Sequence, residues 1–277
     1  MKWYDKVDSL DRRIPYVLLL IFILVPLIKP MGLPIPIGQE VKDAYSAVDS
    51  LKEGQIVILS PSYSPGADSE CLPQHMAMAK HLMSKKVKIV AVHLAVDGVM
   101  YSERVLKGLA PGYNYQYGSD YVILPFTAGD QGAVAAMGRD FAGLYKQDIY
   151  GTPTTSLALM QRIKSIKDFS LVIDFMPGNS LMWYIMQLNA NYGITCTGGV
   201  TAVCIPNMMP YVSSGQSKGL LGGLGGAAQY EQLLKDPARA SAGMDAQSLA
   251  HVLVLFFIVL GNIATVSRRR DQASKRR

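Results

Sequence analysis

The chain reads as an α/β protein: a Rossmann-like three-layer domain with a mainly parallel sheet, flanked by an N-terminal and a C-terminal transmembrane helix. Two observations predict this. Four apolar, β-branched runs recur, each followed by a Gly/Pro/Ser/Asp loop and a helix-like segment. An apolar stretch stands near each end of the chain, with basic residues outside it. Continuous apolar runs mark strands covered on both faces, and their alternation with helices implies right-handed crossovers.

Residues 1–13 form a short tail with Lys2, Lys6, Arg12 and Arg13. Residues 14–37 follow as a first transmembrane segment with a Pro-rich exit. Its apolar part, Ile14–Ile28, is IPYVLLLIFILVPLI, short for a span on its own. Read on through KPMGLPIPIG it reaches the far interface, with Pro26 expected to kink or end the helix. No small-x-small cleavage site follows Ile28, so an uncleaved signal anchor is expected.

Residues 38–244 have the size of one domain. The four strands are expected at Gln55–Ser60, Val87–Leu94, Asp120–Pro125 and Ser170–Phe175. Helices follow at about 70–85, 99–109, 132–145 and 180–191. A fifth strand runs through Gly193–Thr197 or Val200–Ile205. The second transmembrane helix occupies 245–266; Ser248–Val266 is 19 residues with no Asp, Glu, Lys or Arg. A basic tail, 267–277, closes the chain.

The two tails carry ten basic and four acidic residues, which is the whole of the net +6, so residues 14–266 are neutral. That distribution follows the positive-inside rule. It places both termini in the cytoplasm and the main domain outside it, at the cell membrane. The basic excess faces lipid headgroups, not nucleic acid. Three cysteines make no disulfide framework; Cys196 and Cys204 can pair only from neighbouring strands, and buried free thiols are the expectation.

In a parallel sheet the loops after the strands gather along one edge, where ligands bind. The candidate ligand-binding residues there are Ser60, Ser62, Asp68, Asp97, Asp130, Asp174, Asn179 and Ser180. Those loops hold no Lys or Arg, which argues against an anionic ligand. The G-x-G-x-x-G that a dinucleotide needs is missing, Gly215-Gln-Ser-Lys218-Gly219 is not in P-loop order, and no His/Asp/Glu cluster has metal-ligand spacing. No cofactor and no metal are expected. A Ser–His–Asp set can be drawn from Ser60 or Ser180, His93 and Asp174, yet G-x-S-x-G is absent. Asp174 is the acid most in need of a partner if buried. Gly219, Gly222, Gly223 and Gly226 are expected to serve close packing or oligomer contact, with Gly222 and Gly226 on one helical face.

The blocks Pro210–Gln216, Gly219-Leu-Leu-Gly-Gly-Leu-Gly-Gly-Ala-Ala-Gln-Tyr-Glu231 and Met244–His251 resemble those of an uncharacterised family of two-span prokaryotic membrane proteins. Tyr117–Val122 and Gly151–Pro153 are similar to it too. The resemblance implies a membrane-anchored α/β domain and carries over no activity. The leading expectation is therefore a non-enzymatic, membrane-anchored scaffold or assembly subunit that contacts copies of itself or another membrane protein. The alternative is a small-molecule sensor or binding module at the strand-end edge. A hydrolase using Ser60 or Ser180 comes third.

Overall fold

The computed structural model describes residues 3–11 and 13–274. Lys2, Arg12, Lys275, Arg276 and Arg277 of the basic tails lie outside the described residues. The chain forms two compact units: Pro34–Asp236, and Met1–Leu33 together with Pro237–Arg277.

The first unit is an α/β domain. Its strands are β1 (Ile56–Pro61), β2 (Lys88–His93), β3 (Tyr121–Phe126), β4 (Phe169–Met176), β5 (Thr195–Val200) and β6 (Leu221–Gly222). All pair in parallel, in the order β3-β2-β1-β4-β5-β6. The chain starts in the middle of the sheet, winds outward to β3, returns to β4 beside β1, and winds the other way. This is a Rossmann-like order with a direction change between β1 and β4. The fifth strand straddles the two segments offered for it. β6 was not expected: it is two residues long, inside a glycine-rich block that reads as helix.

Period-two alternation divides the core into two layers. Ile56, Ile58, Val90, Val92, Val122, Leu124 and Val172 point into one. Val57, Leu59, Ile89, Ala91, Ile123, Leu171 and Ile173 point into the other. Burying each branched side chain contributes roughly 1.5–3 kcal/mol, so covering both faces is the main force holding the sheet. The segments after β2 and β4 share one departure from regular helix. Gly98–Ser102 passes into a π turn at Glu103–Lys107 and back to α at Gly108–Tyr113. Ser180–Tyr184 does the same through Ile185–Asn189 and Ala190–Tyr192. Such turns rotate the inward face and recur at functional sites.

The glycine block corrects one expectation. Gly222 lies in β6 and the helix begins only at Gly223, running to Leu234, so Gly222 and Gly226 do not share a helical face. The close approaches are made within the domain. A Cβ on Gly226 would sit 2.9 Å from the Leu221 carbonyl carbon. A Cβ on Gly219 (φ +82°) would meet the Glu40 carbonyl and the Ala44 amide at 2.2 Å. All three cysteines are buried free thiols. Cys196 and Cys204 are not bridged; Cys204 Sγ lies 3.1 Å from the Pro177 carbonyl.

The second unit is helical. Arg13–Ile28 runs two residues past Pro26 before ending. At 16 residues it is shorter than a full span. The helix Arg239–Ser274 is long and apolar enough to cross a membrane, and no other helix among the described residues is. It starts upstream of residue 245, where the span alone was expected to begin. The two segments are tied at one end by Asp245. Its carboxylate accepts hydrogen bonds from the amides of Met31 (2.7 Å), Gly32 (2.8 Å) and Leu33 (2.9 Å). Gly32 takes φ +63°, a conformation glycine adopts at least cost, and this aims consecutive N–H groups at one acid.

Candidate functional site

The strand order reverses between β1 and β4, which opens a crevice outside their carboxyl ends. Ser60 on β1 and Asp174 on β4 are paired rungs there. Alternation sends both toward the layer that holds Tyr184, since Ile58 and Val172 precede them on the same face. Asp174 is fully buried, and its carboxylate is held by hydroxyls. Ser62 Oγ donates to Oδ1 at 2.7 Å and Ser180 Oγ donates to Oδ2 at 2.5 Å. Ser60 and Ser62 lie 3.0 Å apart, and Tyr184 donates to Ser60 at 3.0 Å. With the Ser62 proton committed to Asp174, Ser60 must donate to Ser62. The hydroxyls therefore form a directed relay from Tyr184 to the carboxylate.

Burial raises the Asp174 carboxyl to about 6, against the lowering effect of Ser180, Ser62 and Ser60. Among the described residues no cationic side chain forms a salt bridge with it. Gly198 on β5 is its register partner on the other side. A Cβ at Gly198 would lie 2.0 Å from the Asp174 carbonyl oxygen, so only glycine permits this approach.

Ser62, Asp130, Asn179 and Ser180 line one open cavity of about 160 Å³, together with Leu94, Pro177, Gly178 and Trp183. Four expected residues are thus brought together at its wall, with Ser60 and Asp174 in the relay behind Ser62. Asp68 and Asp97 do not line it. They act on Tyr101, whose phenol is raised first by burial and then by these two acids. Tyr101 belongs to the opposite core layer.

The drawn Ser–His–Asp set is not assembled. His93 follows Ile89 and Ala91 in the alternation of β2, on the face away from Ser60 and Asp174. Its Nδ1 lies 2.7 Å from the Leu124 carbonyl, which can only accept, so Nδ1 carries the proton. Nε2 then accepts from Ser102 at 2.8 Å. Burial pushes this imidazole down to about 4, so it is neutral. Both nitrogens are occupied by structural bonds, and neither faces a candidate nucleophile.

Sequence reasoning missed Tyr184, Trp183, Ser102 and Gly198. Tyr184 stands four residues after Ser180, one helical neighbour away, which is the signal that finds it. Gly198-Gly199 inside a strand signals a close backbone approach. A second, larger cavity of about 510 Å³ lies at the amino ends of β4 and β5, lined by Ser46, Ser170, Thr195 and Lys218 among others. It includes the Gly215–Gly219 loop, on the edge away from the strand reversal. Its titratable lining residues, Asp43 and Lys218, are exposed, whereas Ser62 and Ser180 on the wall of the carboxyl-end crevice bond the buried Asp174, so that crevice is the better candidate. No group of His, Cys, Asp and Glu among the described residues has the geometry of a metal site. No protein-family model matches the chain, and no curated protein matches it in sequence.

Proposed function

We propose that this chain is a membrane-anchored, non-enzymatic binding module. Its α/β domain captures a small cationic ligand, an amine, at the crevice between β1 and β4. One observation carries the reading: a fully buried carboxylate at the strand reversal, bonded to hydroxyls and paired with no cation among the described residues. Burying a charge without a counter-charge is costly, and a bound ammonium at the Ser62 and Ser180 hydroxyls supplies one. Asp130 on the cavity wall adds attraction of the same sign. The volume is below that of drug-sized sites, so the occupant is small.

The anchor is part of the same proposal. The C-terminal helix is one span; the Arg13–Ile28 helix, extended through the loop that Asp245 grips, is the second. The basic residues at both ends put the termini in the cytoplasm and the domain outside it. Kinship with the two-span prokaryotic family resembled by the glycine block belongs to the proposal too.

The scaffold reading stands second, favoured by one observation. Val96 on the loop after β2, Met100 on the helix that follows it and Phe126 at the end of β3 are 69%, 52% and 38% exposed, an apolar surface that suits a protein partner. The deciding experiment is thermal stabilisation of the detergent-extracted protein by a panel of small amines, each beside its uncharged isostere. Stabilisation by amines alone, lost in Asn179→Trp, supports the binding module. No stabilisation, together with a protein partner captured through Phe126, supports the scaffold.

A further inference from the structure

Polar residues inside the C-terminal helix form a face of their own. Ala246, Leu253 and Ala264 are buried, and this side of Arg239–Ser274 packs on the Arg13–Ile28 helix. At ~100° per residue, His251, Ile258 and Asn262 fall within about 40° of one another on the opposite side. All three are exposed. Neither the His251 nor the Asn262 side chain makes a hydrogen bond among the described residues. His251 stands six residues after Asp245, and Asn262 six before Arg268. Each is therefore about 9 Å inside its end of the uncharged stretch between Asp245 and Arg268 at ~1.5 Å per residue. Hydrocarbon offers such groups no partner, and leaving them unmatched is unfavourable.

We infer that this face is a contact surface for the same helix of a second copy of the chain, with Asn262 paired to Asn262 and His251 to His251. The inference rests on the reading of this helix as a membrane span. Three features select a second copy. Copies inserted with the same topology run parallel, so identical residues meet at one depth. The Asn amide and the neutral imidazole each carry a donor and an acceptor, so each pairs with itself. The rest of the face, with Val254, Leu255 and Ile258, is apolar, and no charged residue lies between Asp245 and Arg268 to match a charged partner helix.

The test is cysteine cross-linking of the full chain in isolated membranes with copper phenanthroline as the oxidant. Single substitutions Ile258→Cys and Asn262→Cys lie on the face; Leu253→Cys and Ala264→Cys lie off it. The native cysteines are buried, and the unsubstituted chain is the control. Disulfide-linked species of twice the chain's 30.2 kDa are expected at 258 and 262 only. Adding Asn262→Leu to Ile258→Cys should cut that product about three- to tenfold, and Asn262→Gln should retain it. Carbonate washing separates the premises. A chain that stays in washed membranes yet cross-links nowhere, or best at 253 and 264, overturns the contact and spares the span. A chain released by carbonate overturns both. An adduct of a different mass gives the face to another protein and overturns the self-contact.

Discussion

Ser60 and Asp174 share a rung of the sheet at the one place where the strand order changes direction. Everything distinctive about the crevice follows from that pairing. It puts a carboxylate at the strand reversal, where Ser62 from the loop after β1 and Ser180 from the helix after β4 bond it, and Tyr184 of that same helix reaches Ser60.

Gly198 must stay small for this arrangement to exist. Gly198→Ala should destabilise the domain by about 1–3 kcal/mol, since its Cβ meets backbone that cannot rotate away. Gly225→Ala, where a Cβ meets nothing within 4 Å, should cost nothing and can stabilise the helix. Urea unfolding followed by fluorescence of Trp183 in a Trp3→Phe background compares the two. Equal stability of the variants would show that β5 shifts freely.

The Ser180 hydroxyl holds a charged acceptor. Ser180→Ala should cost roughly 1.5–3 kcal/mol near pH 7.5, where Asp174 is ionised, and less near pH 5, where it is mostly protonated. A cost independent of pH would mean that the bond is not charge-assisted.

Acid stability sets two opposing trends against each other. Burial pushes His75 down to about 3 and His93 down to about 4, from 6.5. Their contribution is present above pH 6.5 and is lost as pH falls toward the folded values, because the unfolded chain binds the protons. Asp174 runs the other way: raised from 3.8 to about 6, it favours folding below pH 4 and loses that contribution as pH rises through 6. Two imidazoles outweigh one carboxyl, so stability falls on acidification from 6 to 4. Asp174→Asn removes the opposing trend and should steepen that fall by about 1.4 kcal/mol per pH unit. An unchanged slope would place the Asp174 titration elsewhere.

Much of the sheet was legible because a parallel strand covered on both faces must be apolar throughout. QIVILS, VKIVAVHL, DYVILP and SLVIDF have no other plausible place. β6 was not legible: two residues carry no period, and the glycines around it read as helix. The strand-end residues were legible as a set, because topology alone gathers them. Which of them touch was not. Asp68 comes after β1 and Asp174 stands on the adjacent β4, yet they face opposite core layers, and His93 is separated from Ser60 by the same alternation. Tyr184 was hidden because a tyrosine on a helix reads as core until its hydroxyl is seen to reach Ser60.

Asp245 grips three consecutive amides of that loop. Asp245→Ala should free the 31–33 segment, seen as faster amide hydrogen exchange there, while the β-strands keep their protection. Loss of protection across the whole sheet would instead show that the two units unfold together.

The central claim is that the crevice holds a small cationic ligand. Native mass spectrometry of the gently extracted chain, titrated with small amines, tests it most directly. The account predicts a one-to-one amine adduct on the unsubstituted chain, weakened by Asp130→Asn, absent in Asn179→Trp, and not formed by the uncharged isosteres. Adducts that form equally on Asn179→Trp, or no adduct on any form, would contradict it.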